Sequence, residues 1–156
     1  MKTARKQLAI ALATVLIAPI ATVAASTSSF TGKTAQKVKI SFRASTTSVS
    51  DLKTSLDVLC LTAYPASKSA TEIIAIRQQR PAALRGGKFT LTLPAPIAHP
   101  SKREVTTITG TIHGQSASGT LKSFYLKNWQ VYNPATGMYD LALASCAGKS
   151  TWTARR

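Results

Sequence analysis

Short runs in which apolar and polar residues alternate constrain the fold of this chain more than any other feature. In Lys37–Arg43, the residues Val38, Ile40 and Phe42 fall on one side of an extended chain, and polar or charged residues fall on the other. The segment Lys88–Leu93 repeats the same alternation. A helix would scatter such side chains around its axis, because its period is about 3.6 residues. The pattern therefore predicts strands with one face against a core and one face in water.

Turn residues divide the rest of the chain into further strand candidates. Threonine is abundant, and its branched β-carbon favours extended backbone. Gly148 is expected to turn the chain into a last strand. The other candidates are Leu56–Tyr64, Val105–His113, Ser118–Leu126, Trp129–Tyr132, Met138–Leu143 and Thr151–Thr153. Roughly seven to nine short strands predict an all-β fold, an antiparallel β-sandwich with a small β-barrel as the alternative.

The segment 69–80 is compatible with two structures. Ser69 followed by Glu72 has the form of a helix capping box, which predicts a short helix near 70–79. The β-branched residues Ile73, Ile74 and Ile76 favour a strand, and the neighbouring segments are strand candidates. We therefore favour a strand near Ile73–Arg77 and keep the helix as the alternative.

The N-terminal residues differ from the rest of the chain. Three cations precede an apolar stretch, Leu8–Ile20, and small residues follow it through Ala25. This pattern predicts a secretory signal peptide over 1–25, cleaved near Ala25, rather than a retained membrane anchor. The mature protein would then be secreted, extracellular or periplasmic, without a transmembrane segment. Residues 26–36 are predicted to form a flexible lead-in, and 37–156 a single β-sandwich domain.

The two cysteines are interpreted through the predicted export. In an oxidising compartment, Cys60 and Cys146 are expected to form one structural disulfide. No further ligands are spaced for a metal site, and no cofactor is expected. The bridge would connect an early strand with the last part of the chain.

Positive charge is the main non-structural signal. The chain has 20 Lys and Arg against 5 Asp and Glu, a formal net charge of +15. Three of these cations lie in the predicted signal peptide, which leaves +12 on the mature chain. Such a charge attracts anionic envelope polymers, whereas the same cations can simply keep a protein soluble. The candidate polyanion-binding residues are Lys37, Lys39, Arg43, Arg77, Arg80, Arg85 and Lys88.

Aromatic residues on a predicted hairpin are candidates for contact with a partner. Trp129, Tyr132 and Tyr139 stand on or beside this hairpin, where exposed rings can anchor another protein. The alternative is cross-strand pairing that completes the edge of the core. Trp152 alternates with threonines and is expected to lie in the core.

Catalytic residues are scarce. A Ser-His-Asp triad could be assembled only from His113, Asp140 and one of the many serines, and the sequence has no nucleophile-elbow motif. The five acids show no D-x-D or E-x-x-H spacing. A glycosidase needs two carboxylates that meet across a cleft, which sequence spacing does not show. We therefore expect a non-catalytic protein, with a secreted hydrolase as an alternative.

The C-terminal half resembles a group of proteins. Its short motifs are Leu84-Arg85-Gly86-Gly87-Lys88-Phe89, Gly110-Thr111-Ile112, Gly119-Thr120-Leu121, Cys146-Ala147-Gly148 and Trp152-Thr153-Ala154. Over residues 84–156 this pattern is similar to the ends of small secreted bacterial all-β proteins, most of them uncharacterised. The resemblance implies a secreted β-domain and carries over no catalytic residue.

Taken together, these features predict a secreted, non-catalytic β-domain associated with the cell envelope or binding in the extracellular space. Its expected partners are anionic envelope polymers or another extracellular protein, without specific nucleic-acid binding. The alternative is a protein-binding module or inhibitor that uses the Trp129–Tyr139 hairpin.

Overall fold

The computed structural model describes residues 26–63, 68–95 and 103–156. These residues form nine antiparallel strands and contain no helix, so no described helix is long and apolar enough to cross a membrane. The strands are β1 (Ser28–Thr34), β2 (Lys39–Ala44), β3 (Ser48–Thr62), β4 (Lys68–Arg77), β5 (Ala82–Ala83), β6 (Lys88–Pro94), β7 (Val105–His113), β8 (Ser116–Asn133) and β9 (Met138–Arg155). The all-β antiparallel prediction is confirmed.

One sheet contains all nine strands and closes partly on itself. The order is β4-β3-β2-β1-β9-β8-β7-β6, with β5 paired to β3. In addition, β3 pairs directly with β9 from Leu59–Leu61 to Ser145–Ala147. This second pairing joins strands that β1 and β2 otherwise separate, so the sheet forms a partially closed ring. The two inner walls of this one sheet face each other across the core.

An aromatic cluster fills the core between strands that are distant in the sheet. The Phe42 ring on β2 lies 6.0 Å from the Phe89 ring on β6, although four strands stand between them in the sheet order. Phe30 stacks on Phe42 at 5.0 Å, and Trp152 meets Phe42 edge-on at 5.7 Å. All four rings are buried, as expected for Trp152. Their contacts join β2 and β6 across the core.

Two glycines make room for the Trp152 indole. Gly110 pairs with Gly119, which in turn pairs with Trp152 on β9. A Cβ at Gly119 would lie 2.6 Å from the indole ring, and one at Gly110 would lie 2.7 Å from it. Such distances are too short for any side chain. A Cβ at Gly110 would also overlap the Phe89 ring, and one at Gly119 would overlap the backbone oxygen of Thr109. The glycines of both Gly-Thr motifs are therefore explained by close packing around Trp152 and Phe89 and by close approach of the β7 backbone.

The disulfide lies where β3 meets β9. Cys60 and Cys146 pair in register and are bonded, as predicted, and both are fully buried. The expectation of a turn at Gly148 is wrong, because β9 continues through it. A Cβ at Gly148 would lie 2.7 Å from the carbonyl oxygen of Asp57. Glycine at this position allows the backbone of β3 to approach β9 closely.

The predicted flexible lead-in is also wrong for most of its length. Residues Ser28–Thr34 form β1, which pairs with β2 on one side and with β9 on the other. Phe30 is the reason, because its buried ring stacks on Phe42 and fixes the register. A single apolar residue among small polar ones thus orders this segment through tertiary packing.

The segment near 70–79 is a strand, and the short-helix alternative is wrong. Residues Lys68–Arg77 form β4 and pair with β3 along their whole length. Glu72 does not cap a helix, since its carboxylate contacts Lys127 and Tyr125 on β8. Pairing with a long neighbouring strand outweighs the local capping signal.

The predicted signal peptide, 1–25, lies outside the described residues.

The disulfide is expected to supply a large part of the stability. It joins residues 86 apart in sequence, and the chain-entropy model assigns about 4.5 kcal/mol to a loop of this length. Replacing both Cys60 and Cys146 by Ala should lower the free energy of unfolding by a similar amount, measured by urea denaturation. An unchanged midpoint in the double variant would contradict the proposed role in closing the sheet.

Gly119→Ala should destabilise the fold by about 1–3 kcal/mol, because its methyl group overlaps both the Thr109 backbone oxygen and the Trp152 indole. Only the overlap with the indole can be relieved by a smaller ring at position 152. The measurement is a double-mutant cycle with Trp152→Phe, whose smaller ring leaves room for the methyl group. We expect Gly119→Ala to cost less in the Trp152→Phe background. Equal costs in both backgrounds would show that the indole is not the constraint.

Candidate functional site

The pairing register aligns the outward side chains of neighbouring strands into rows across the sheet. Directly paired residues point to the same face, with Cβ atoms about 4.5–5.5 Å apart. Two adjacent rows lie near the end of β9. Row A consists of Arg77, Lys53, Ser41, Thr31, Arg155, Ser116 and His113. Row B, two residues further along the strands, consists of Lys39, Lys33, Thr153, Ser118, Thr111 and Lys88.

Rows A and B concentrate positive charge. They hold six exposed Lys and Arg side chains, whereas none of the five acids in the sequence belongs to either row. The six cations are Arg77, Lys53 and Arg155 in row A and Lys39, Lys33 and Lys88 in row B. This part of the surface therefore carries a positive potential that no neighbouring carboxylate in the rows offsets.

Where the rows cross β1, β9, β8 and β7, they border a shallow depression of about 560 Å³. Lys33, Arg155 and His113 line it. The hydroxyl-bearing residues that also line it are Thr31, Thr111, Ser116, Ser118 and Thr153. Hydroxyl groups can donate hydrogen bonds to anionic oxygens, and the lysine and arginine supply charge. The depression has the chemistry of an anion-binding surface.

Two pairs of lysines stand directly opposite each other on neighbouring strands. Lys33 pairs with Lys39 in row B, and Lys122 pairs with Lys149 on β8 and β9. Like charges in this position destabilise a sheet. A bound anion between the ammonium groups would relieve the repulsion. These pairs are unfavourable for the fold alone and favourable for binding a negatively charged ligand.

The predicted polyanion-binding residues are only partly brought together. Lys39, Arg77 and Lys88 belong to the rows. Arg43 lies in the next row and forms an exposed ion pair with Asp51 at 3.9 Å. The other three lie outside strands: Lys37 in the β1–β2 turn, and Arg80 and Arg85 between β4 and β6.

Sequence patterns do not identify three of the cations in the rows. Lys33 lies in the segment expected to be a flexible lead-in, Lys53 precedes the predicted boundary of its strand, and Arg155 lies beyond the predicted end of the last strand. In β9, the alternation of Trp152 and Ala154 with polar residues is a signal that could extend the strand to Arg155. Cross-strand register, which determines their neighbours, is not encoded in any local pattern.

The aromatic hairpin separates its rings onto two faces. Tyr132 and Tyr139 pair across β8 and β9 on the outward face, with ring centroids 5.6 Å apart, and both are exposed. Trp129 lies on the opposite face, half-buried, with the ammonium groups of Lys68 and Lys127 at 4.7 and 5.3 Å from its ring centroid. The three aromatic residues therefore do not form one docking surface.

A polar cluster lies inside the ring beside the disulfide. Glu72 forms an ion pair with Lys127 and accepts a hydrogen bond from the Tyr125 hydroxyl at 3.3 Å. Burial raises the pKa of Tyr125 to about 12, with a further contribution from the charge of Glu72 and its hydrogen bond. Glu72 also lies near Cys60 and Cys146, but their sulfurs are joined and do not offer thiolate ligands. The cluster is structural.

The residues considered for a catalytic triad lie far apart. His113 pairs with Ser116 at one end of β8, whereas Asp140 pairs with Val131 near the other end. The extended chain between those two positions on β8 is roughly 50 Å long. Asp140 accepts a hydrogen bond from Asn133 at 2.8 Å. These two side chains do not form a catalytic pair.

Comparisons of the chain with family models, with curated proteins and with solved structures return no match.

The buried Tyr125 hydroxyl makes stability depend on alkaline pH. Its folded pKa of about 12 lies above the ordinary value of 10.0, so folding favours the neutral form. This contribution to stability is fully present below pH 10.0 and is lost as the pH rises towards about 12. We expect the free energy of unfolding of the wild type to fall in this interval relative to Tyr125→Phe. The measurement is urea denaturation at a series of pH values, and parallel curves would contradict it.

Proposed function

We propose that this protein is a secreted, non-catalytic binding domain for anionic envelope polymers, and that rows A and B hold the polymer. The observation that carries the proposal is the register, which lines up six exposed cations on adjacent rows that contain no acid. Because the cations lie on paired strands, the backbone positions from which their side chains extend are fixed before the ligand binds.

The spacing of the cations favours a polymer over a single ion. Neighbouring strands are about 4.8 Å apart, and alternate residues of a strand about 7 Å apart. The rows extend from Lys88 on β6 to Arg77 on β4, so the cations are distributed around much of the ring. A chain of phosphodiesters would contact several of them at once, whereas one small anion would contact one or two.

The hydroxyl groups between the cations support binding of phosphate oxygens. Thr111, Ser118 and Thr153 stand between Lys88 and Lys33 in row B. Hydroxyl donors and cations together are the usual partners of phosphate in proteins. A surface of this composition positions a phosphate backbone without reading a base sequence, in keeping with the expected lack of specific nucleic-acid binding.

The expected location of the protein supports a ligand from the cell envelope. A buried disulfide between Cys60 and Cys146 is typical of proteins in oxidising compartments, and the predicted signal peptide would direct the chain there. Teichoic acids and lipopolysaccharide are the abundant anionic polymers and glycolipids of bacterial envelopes. We take a phosphodiester polymer as the ligand class.

The test compares two triple variants with the same net charge. Lys33→Gln/Lys39→Gln/Arg155→Gln removes cations from the rows, and Arg80→Gln/Arg85→Gln/Arg103→Gln removes exposed cations outside them. Binding of residues 26–156, which include every described strand, to purified wall teichoic acid and to polyphosphate is measured as a function of salt. The row variant should lose affinity at least about tenfold, and its log–log salt slope should fall by about 2 units through lost counterion release.

The control variant should lose no more than about threefold in affinity. Its substituted residues lie away from the bound polymer, and salt screens the interaction between distant charges. Equal losses in both variants would mean that net charge, rather than the rows, attracts the polymer. Absence of binding at low salt would overturn the proposed function.

A further inference from the structure

The distal part of the β8–β9 hairpin forms an arm that extends beyond the rest of the sheet. The arm comprises residues 126–133 of β8 and 138–144 of β9, which pair only with each other among the described strands. Pairing of β8 with β7 ends at Phe124, and pairing of β9 with β3 begins at Ser145. A two-stranded hairpin is marginally stable in water on its own.

The outward face of the arm is exposed, and along β9 it is apolar. Along β9, Leu141 and Tyr139 are each 71% exposed, and Leu143 is 61% exposed. Tyr132, directly opposite Tyr139, is half-exposed. Isolated apolar residues on a surface are ordinary, but consecutive outward positions on one strand form a continuous surface. The face is therefore suited to contact an apolar environment.

The apolar surface continues from the arm onto the ring. Leu59 and Leu61 on β3 pair with Ala147 and Ser145, and Phe124 on β8 pairs with Ala147 from the other side. Leu59, Leu61 and Phe124 are 48%, 47% and 42% exposed. From Tyr139 to Ala147 the surface is about 25 Å long and, on the ring, three strands wide. We call it the apolar strip.

Lysines border the apolar strip on the side of the basic rows. Lys122 and Lys149 form a cross-strand pair at the next outward positions beyond Phe124 and Ala147, and both are exposed. The nearest acid on this outward face is Asp57, two residues before Leu59 on β3. Arm and ring together thus offer an apolar surface with cations along one border, on a chain of net charge +15.

We infer that the apolar strip binds the surface of a lipid bilayer that contains anionic lipids. Leucine and phenylalanine side chains would enter the boundary between headgroups and acyl chains, with the tyrosine rings at headgroup level, where such amphipathic rings accumulate. The ammonium groups of Lys122 and Lys149 would lie at headgroup phosphates, which also removes their mutual repulsion. The lysine border is the reason for choosing an anionic bilayer over an uncharged apolar partner.

This inference concerns a different surface from rows A and B. The outward residues of the arm belong to neither row, and the strip contains none of the six cations assigned to the polymer. Either site can therefore be removed without the other. A bilayer and an envelope polymer could be bound at the same time by the two ends of the same sheet.

The test uses residues 26–156 and sedimentation with vesicles of phosphatidylcholine, with or without one third phosphatidylglycerol. Leu141→Thr/Leu143→Thr keeps strand-forming residues but removes the apolar face of the arm. The matched control is Asn128→Thr/Gln130→Thr, which changes the residues directly opposite on the same outward face. We expect binding to the anionic vesicles, a loss of about tenfold or more in the leucine variant, and no change in the control.

A second measurement separates insertion from adsorption by charge. In Tyr139→Trp, the new indole should be quenched by lipids brominated in the acyl chains, beyond the quenching of the wild type with its two tryptophans. Equal vesicle binding by all variants, without additional quenching, would mean adsorption through cations alone and would overturn the inference. Absence of vesicle binding would also overturn it. So would a dimer in solution that Leu141→Thr/Leu143→Thr dissociates, because a second copy would then cover the strip.

Discussion

The pairing of β3 with β9 is the interaction on which the rest of the structure depends. Without it, β1 and β2 would separate β3 from β9 in the sheet order. With it, the sheet turns back on itself, and the aromatic rings of β1, β2, β6 and β9 meet in one core. The Cys60–Cys146 bond fixes this pairing covalently, and Gly148 allows the two backbones to approach.

The filled core of the partially closed sheet determines which side chains face outward. Because the inner positions are filled by core side chains, every second residue of each strand faces outward, and the register decides which of them are neighbours. At one end this brings cations and hydroxyls together, and at the other it brings leucines and tyrosines together. The few acids serve other purposes, as in the ion pair of Glu72 with Lys127 inside the ring. Charge and apolarity are thus segregated along the strands.

Local patterns were sufficient to predict the strands but not their neighbours. The alternation in Lys37–Arg43 and Lys88–Leu93 predicts β2 and β6, and the redox argument predicts the disulfide. By contrast, β1 depends on the stacking of Phe30 on Phe42, and no pattern within residues 26–36 predicts this contact. Gly148 resembles a turn residue in sequence because close backbone approach and turns both favour glycine.

For the candidate site too, sequence patterns identify residues but not which of them become neighbours. Lys33 and Lys39 flank a turn and could be recognised as neighbours from a hairpin, but Arg155 joins them only through the pairing of β1 with β9. Likewise, the sequence indicates an aromatic hairpin, whereas only the strand geometry separates Trp129 from Tyr132 and Tyr139. Pairing between strands that are distant in sequence determines which side chains lie on the same surface. Sequence periodicity does not contain this information.

The most direct test of the central claim, that register gathers the cations into one binding surface, is an NMR titration of backbone amides with a short polyphosphate. We expect the largest shifts along rows A and B, on strands that are separated in sequence, at Lys33, Lys39, Thr111, Thr153 and Arg155. Shifts concentrated at Arg80, Arg85 and Arg103, or spread evenly over all exposed lysines and arginines, would contradict it.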